Sequence, residues 1–182
     1  DMGNRIYPIG IQNFEKIRKE GYVYVDKTAL MYKLVKSGSY YFLSRPRRFG
    51  KSLLISTLEA YFEAKRDLFE GLAVETLEKD WVKRPVFHLD LNIGKYDTPD
   101  SLDKILNETL DYWESLYGTR SAETTLALRF AGVVGRAYEQ SGERVAILID
   151  EYDKPLLQAI GNEELQREFR NTLKPFYGVL KT

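Results

Sequence analysis

Five consecutive apolar residues at 145–149 run directly into two carboxylates, Asp150 and Glu151. A strand that is apolar on both sides must be covered on both faces of its sheet, which is typical of parallel sheets flanked by helices. A second compact run of aromatic and apolar residues lies at 40–43, and an alternating run lies at 86–91. Because these strand patterns are separated by helical ones, the sequence predicts an α/β fold with a mainly parallel sheet.

Stripes of apolar residues at helical spacing predict the helices between these strands. The stripes run over residues 30–35, 54–62, 102–116, 126–138 and 165–173. Leu30, Leu34, Leu116 and Tyr138 belong to them, and we expect these side chains to face inward.

Shorter patterns are less regular. Phe14 and Ile17 predict a short helix that stops near Gly21, and residues 22–25 predict a short strand. Pro175 is expected to disturb the end of the last helix, because proline lacks the backbone N–H that a helix interior uses.

Composition excludes several kinds of site. The chain has 182 residues, enough for a substantial core, and its 27 basic and 27 acidic residues cancel. A net charge of zero gives no overall attraction to nucleic acid or to an anionic membrane. The chain has no cysteine, which excludes disulfides and thiolate chemistry, and its single histidine, His88, argues against a histidine-rich metal site. Since we find no secretory segment and no apolar run long enough to cross a bilayer, we expect a cytoplasmic protein that does not contact membranes.

A basic segment joins the predicted strand at 40–43 to the next helix. It reads Arg45, Pro46, Arg47, Arg48, Phe49, Gly50, Lys51, Ser52. The phosphate-binding P-loop follows the rule G-x-x-x-x-G-K-[ST] between a strand and a helix. Gly50, Lys51 and Ser52 match that rule, whereas Arg45 stands where the first glycine is expected.

The residue types of this segment suit a nucleotide and magnesium. Backbone N–H groups and the helix dipole attract phosphate, Lys51 would reach the β- and γ-phosphates, and the Ser52 hydroxyl would bind Mg²⁺. The alternative is a Gly-Lys-Ser sequence that occurs by chance in a basic turn. The three arginines could contact phosphates, a neighbouring subunit or water alone.

The acidic strand end completes the prediction. If the strands are parallel in one sheet, their carboxyl ends share an edge, and the basic segment and the acidic pair would converge on one crevice. Asp150 would then hold Mg²⁺, directly or through water, and Glu151 would orient or deprotonate the attacking water. The alternative is a strand followed by an exposed acidic turn. Asp153 and Lys154 either belong to this site or form a solvated helix start.

Three further groups have two interpretations each. The Asp26-Lys27-Thr28 sequence would either lie near the adenine of the bound nucleotide or cap a helix N-terminus. Asp90, at the end of the run at 86–91, faces the crevice or has no direct role. His88 is more simply a half-buried or solvent-facing strand residue than a ligand.

Four segments together resemble the bacterial predicted AAA-ATPase family, also called AAA-ATPase-like. They are PIGIQNF at 8–14, YVDKT at 24–28, RPRRFGKSLL at 45–54 and LIDEYDKPL at 148–156. The resemblance implies a three-layer P-loop NTPase sandwich with ATP and Mg²⁺ as cofactors. Arg45 departs from the general P-loop rule but agrees with the pattern of this family.

The resemblance also implies roles for individual residues. It carries over Lys51 and Ser52 as phosphate and magnesium contacts, Asp150 as the Walker B aspartate that holds the magnesium, and Glu151, with Lys51, as the catalytic residues. The segment that contacts the nucleotide would comprise Arg45, Pro46, Arg47, Arg48, Phe49, Gly50, Lys51, Ser52 and Leu53.

The resemblance further implies the additional-strand, catalytic-glutamate division of P-loop NTPases. In that division a strand with a polar sensor residue follows Walker B and lies between the P-loop strand and the Walker B strand. We find no candidate for it after Ile149. The chain is therefore expected to be truncated before that strand, with an N-terminal extension at 1–38 and an incomplete core at 39–182. We expect a gap between the two buried strands, filled by residues beyond 182 or by another chain.

The predicted function is binding of ATP with Mg²⁺ and hydrolysis coupled to conformational change. The alternative is a nucleotide-dependent switch with little turnover that regulates a nuclease-like domain or a DNA-associated partner. Members of the family often continue into a nuclease-like domain of the PD-(D/E)XK type, which would give the whole protein a route to DNA. The other expected partner is a second copy of this chain, in a homo-oligomer.

Overall fold

The structure, a computed structural model, describes residues 13–37, 41–43 and 51–181; of Ser37, residues 41–43 and Lys51 it describes the backbone alone. The described residues form two compact units, one with 13–37 and 51–86 and the other with 41–43 and 87–181. The predicted domain boundary between residues 38 and 39 lies outside the described ranges and stays a prediction.

The described part of the chain is mixed α/β and mostly helical. In chain order its elements are α1 Phe14–Lys19, α2 Thr28–Ser37, β1 Tyr41–Leu43, α3 Lys51–Phe62, α4 Ala73–Leu77, β2 Val86–Asp90, α5 Ser101–Tyr117, α6 Leu126–Ser141, β3 Ala146–Asp150, α7 Lys154–Gln158 and α8 Glu163–Gly178. Within these ranges no helix has the length and apolar character that a membrane span requires.

The first unit packs α1 against α3. Asn13 caps α1 by accepting a hydrogen bond from the Lys16 amide at 2.9 Å, and the Phe14 amide donates to Ser56 Oγ of α3 at 3.0 Å. Phe14 is fully buried, with its ring 4.8 Å from that of Phe69. The predicted helix through Phe14 is confirmed, whereas the strand predicted at 22–25 is wrong, because those residues have no strand pairing.

Asp26 joins two helices of the same unit. Its Oδ1 accepts hydrogen bonds from the Thr28 amide and hydroxyl at 2.9 and 2.6 Å, and its Oδ2 accepts one from the Ala73 amide at 2.8 Å. Thr28 is buried, and its Oγ1 accepts a further bond from the Val74 amide at 3.1 Å. Asp26 and Thr28 thus serve the N-terminal amides of α2 and α4, which confirms the helix-capping interpretation.

The second unit contains a three-stranded sheet with the order β1–β3–β2. β1 and β3 are parallel, with Tyr41 opposite Leu148 and Leu43 opposite Asp150. All five residues of β3 are buried, as its run of apolar residues predicts. The prediction of an α/β fold with parallel pairing is confirmed for this pair of strands.

The predicted gap between the two apolar strands is wrong, because β1 and β3 are direct neighbours in the sheet. Two buried strands kept apart by an open position would leave backbone N–H and C=O groups without partners, which is costly. Direct pairing removes that cost, since each strand supplies the partners that the other needs.

Aromatic rings from α5, α6 and α8 fill the core of the second unit. The ring of Phe130 stacks on that of Phe176 with centroids 4.4 Å apart, and the ring of Trp113 lies 4.7 Å from that of Phe87. α8 continues through Pro175 to Gly178, so the proline does not end the helix. Buried Phe176 holds the turn beside the proline against the core.

Replacing Asp26 tests the double cap. Asp26→Ala is expected to lower the free energy of unfolding by about 1–2 kcal/mol, because it removes the acceptor for two helix N-termini. Asp26→Asn, which keeps one carbonyl acceptor, is expected to lose less. Urea unfolding followed by far-UV circular dichroism measures both. Equal losses in the two variants would contradict the capping role.

The same cap predicts a dependence on pH. Burial opposes ionisation of Asp26, but hydrogen bonds from Thr28 and Ala73 prevail and hold its pKa below the ordinary value of 3.8. A lowered pKa contributes stability that is present above the unfolded-state value and is lost as the pH falls through the folded-state value. Asp26→Asn should therefore reduce the loss of stability in acid below about pH 4.

Candidate functional site

β3 delivers two carboxylates to the end of a buried strand. All five residues of β3 are buried, and the chain turns directly after the strand, at Glu151. Asp150 is 7% exposed and Glu151 is 4% exposed. The predicted alternative, a strand that ends in an exposed acidic turn, is therefore wrong: both carboxylates are buried.

Glu151 has an uncommon backbone conformation. Its φ is +59°, in the left-handed region that residues with a side chain rarely adopt. Placing a residue with a Cβ there costs about 1–2 kcal/mol. Among the described residues other than glycine, only Ala64 shares a positive φ. Conformations of this kind persist where the surrounding structure imposes them, often at functional sites.

Hydrogen bonds hold the turn that follows β3. The Lys154 amide donates to the Glu151 carbonyl oxygen at 3.0 Å, and the Tyr177 hydroxyl donates to the Tyr152 carbonyl oxygen at 3.0 Å. The Lys154 ammonium group donates to the backbone oxygen and to Oδ1 of Asn92, at 2.7 and 3.0 Å. The turn is thus tied to α8 on one side and to the segment after β2 on the other.

The register of β1 places its last residue beside the acidic end of β3. Leu43, the last residue of β1, lies opposite Asp150, and the chain continues from it into residues 44–50. The strands are therefore parallel in one sheet, which is the condition that the predicted convergence requires. Six predicted nucleotide contacts lie outside the described residues: Arg45, Pro46, Arg47, Arg48, Phe49 and Gly50.

The remaining predicted phosphate contacts open α3. Lys51 is the first residue of that helix, Ser52 is exposed in its first turn, and Leu53 is partly buried. The first turn of α3 carries no carboxylate that would compete for its amides. The helix N-terminus therefore keeps its attraction for anions. These three residues belong to the first unit, whereas Asp150 and Glu151 belong to the second.

The two predicted magnesium contacts carry oxygen donors, which suit a hard cation. In nucleotide sites Mg²⁺ takes one or two carboxylates together with phosphate oxygens and water, so a dedicated protein cage is not required. Among the residues that the structure describes, no three acidic, histidine or cysteine side chains form such a cage. The hydroxyl of Ser52 and the carboxylate of Asp150 are oxygen donors of the kind that Mg²⁺ prefers.

The structure assigns local roles to the other candidate residues. Asp90 Oδ1 accepts a hydrogen bond from the Asn92 amide at 2.9 Å, which closes the turn after β2. Asp153 and Lys154 stand at the start of α7, where Lys154 contacts Asn92. Sequence patterns did not indicate Asn92 or Tyr177, because both reach the acidic turn from distant segments of the chain.

Glycine at position 151 tests the left-handed backbone. Glu151→Gly and Glu151→Ala both remove the carboxylate, but only alanine keeps a Cβ in the left-handed region. We expect the glycine variant to be more stable than the alanine variant by about 1 kcal/mol. Ala64→Gly is the matched control, because Ala64 has the same φ of 59° outside the site, and it should gain stability over the wild type. An alanine variant at 151 as stable as the glycine variant would contradict the strained conformation.

Comparison with known proteins agrees with the family resemblance of the four sequence segments. The sequence model of the family described as Predicted AAA-ATPase matches residues 8–182. An uncharacterized protein in the vnfD 5' region of Azotobacter chroococcum mcd 1 is 40% identical over 182 residues, which is 99% of this chain and 35% of the relative. The chain thus spans about a third of that relative's length. No solved structure matches the chain. The match over residues 8–182 shows that this chain belongs to the Predicted AAA-ATPase family.

Proposed function

We propose that this chain binds ATP with Mg²⁺ and hydrolyses it, as a P-loop NTPase core of the three-layer kind whose turnover drives conformational change. The observation that carries the proposal is the parallel register of Leu43 with Asp150. Leu43, which precedes the basic segment in the sequence, lies beside Asp150 at the end of β3. Membership of a family described as a predicted AAA-ATPase supports the same function.

The phosphate side of the site would come from residues 45–53. Backbone amides of the basic segment and of the first turn of α3 would bind the phosphate oxygens, and the Lys51 ammonium group would offset the charge of the β- and γ-phosphates. Ser52 and Asp150 would hold Mg²⁺, which when bound draws charge away from the transferring phosphoryl group. The nucleotide would thus be fixed mainly by main-chain donors.

Glu151 would act on the attacking water. Its carboxylate would orient a water molecule and take its proton as the water oxygen bonds to the γ-phosphorus. The bond from the γ-phosphorus to the bridging oxygen then breaks, which gives ADP and inorganic phosphate. A carboxylate that is 4% exposed keeps a defined position for this step, because little bulk water competes for it.

The partners of the whole protein stay proposals, because the chain spans 35% of the length of its relative. DNA reached through a nuclease-like domain, a DNA-associated partner, and a second copy of this chain are the candidates. A DNA-binding titration at several salt concentrations tests the first, since phosphate contacts make affinity fall steeply with salt.

Steady-state release of phosphate tests the enzyme. Glu151→Gln is expected to lower kcat by about a hundredfold or more, because it removes the general base and keeps the shape of the side chain. Lys51→Ala is expected to lower kcat and also to weaken ATP binding. Glu168→Gln, an exposed glutamate in α8, is the matched control and should behave as the wild type.

Three results would change the proposal. Equal rates for the wild type and Glu151→Gln would remove Glu151 from the reaction. Tight ATP binding that is lost in Lys51→Ala, without phosphate release by the wild type, would favour the nucleotide-dependent switch over the ATPase. Absence of ATP binding by the wild type would sink both functions.

A further inference from the structure

Two side chains outside the predicted nucleotide contacts converge on the backbone around Glu151. Tyr177, near the end of α8, donates to the carbonyl oxygen of Tyr152, the residue that follows Glu151. Tyr177 is partly buried, and burial raises the pKa of its phenol, so the group remains a hydrogen-bond donor at neutral and moderately alkaline pH. Its hydroxyl fixes the orientation of the peptide group after Tyr152.

Lys154 acts on the other end of the same turn. Its amide donates to the Glu151 carbonyl oxygen, and its ammonium group donates to two oxygens of Asn92. Asn92 lies in the short turn that follows β2, and β2 is next to β3 in the sheet, so this contact ties the turn after β3 to the sheet that carries Asp150. A single residue thus holds the turn through its backbone and its side chain.

The left-handed backbone explains why such anchors are needed. At Glu151 a φ of +59° is unfavourable for a residue with a Cβ, so a turn free to relax would move to negative φ. That rotation would swing the carboxylate away from its present direction. Hydrogen bonds to the carbonyl oxygens of Glu151 and Tyr152 oppose the rotation, because it would reorient both peptide groups.

We infer that Tyr177 and Lys154 are positioning residues for the Glu151 carboxylate, which they hold in its left-handed conformation through hydrogen bonds to the turn after β3 and to Asn92. This inference rests on the proposed function in assigning a reaction to Glu151. The Lys154 ammonium group and the Tyr177 hydroxyl donate to protein oxygens, and neither is proposed to contact the nucleotide.

Paired substitutions test the inference. Tyr177→Phe and Lys154→Met each remove the donor and keep most of the side-chain volume. A misplaced catalytic group costs about tenfold to a hundredfold, so kcat for phosphate release should fall by that factor. The KM for ATP should stay within about twofold, because ground-state binding does not use Glu151. Lys154→Arg, which can still donate to both oxygens of Asn92, should keep most of the wild-type kcat.

Matched controls come from the same unit. Tyr138→Phe alters an exposed tyrosine of α6, and Lys174→Met alters an exposed lysine of α8; both should show wild-type kcat. Urea unfolding of all variants identifies any that lose activity because they are unfolded at the assay temperature.

Repeating the substitutions in the Glu151→Gln variant separates positioning of the carboxylate from an effect on general stability. In Glu151→Gln the carboxylate is already absent, so Tyr177→Phe should lower the residual rate no further. A further drop of similar size in this background would overturn the inference. So would a parallel rise in KM, or wild-type kcat in both Tyr177→Phe and Lys154→Met.

Amide hydrogen exchange gives a readout that does not require ATP hydrolysis. The Lys154 amide, which donates to Glu151, should exchange faster in Tyr177→Phe than in Tyr138→Phe, whereas amides in the middle of α8 should not differ. Unchanged exchange at Lys154 would overturn the inference. If the wild type releases no phosphate but this amide exchanges faster as expected, the proposed ATPase fails while the anchoring of the Glu151 backbone stands.

Discussion

The hydrogen-bonded pairing of β1 with β3 is the constraint on which the candidate site depends. β1 has only three residues, and its register with β3 puts Leu43 beside Asp150. On the side where the two strands face each other, this pairing supplies backbone hydrogen-bond partners to β1 and to the buried strand β3. It also brings the residue that precedes the segment at 44–50 beside Asp150. The fold and the candidate chemistry therefore depend on the same backbone pairing.

Burial of β3 has a second consequence at its end. The strand is buried up to Asp150, and the chain turns directly after it, with Glu151 in a left-handed conformation. The strain of that turn is balanced by the hydrogen bonds from Tyr177 and Lys154. A catalytic carboxylate gains from such an arrangement, because a group that is already oriented loses little freedom when the substrate binds.

Elements with a strong local pattern could be predicted from the sequence. The buried strand β3 followed from five adjacent apolar residues, and the helices followed from their stripes. A stripe of apolar residues shows which side chains share a helix face, but not whether another element covers that face. Two side chains that were expected to face inward are therefore exposed: Leu30 by 67% and Tyr138 by 54%. The expected gap beside β3 was inferred from family topology, whereas the structure satisfies the hydrogen bonds locally. Tyr177 could not be predicted, since only the tertiary fold brings it to Tyr152.

A double-mutant cycle between Ser52 and Asp150 tests most directly whether the proposed phosphate-binding segment and the acidic end of β3 act on one nucleotide. The measurement is the Kd of ATP, with and without Mg²⁺, for the wild type, Ser52→Ala, Asp150→Asn and the double variant. If both side chains hold the same ion, each substitution removes the Mg²⁺-dependent part of the affinity. The double variant then loses no more than either single one, with a coupling energy of about 1–3 kcal/mol. Additive losses, or an Asp150→Asn variant with unchanged affinity, would contradict a shared site.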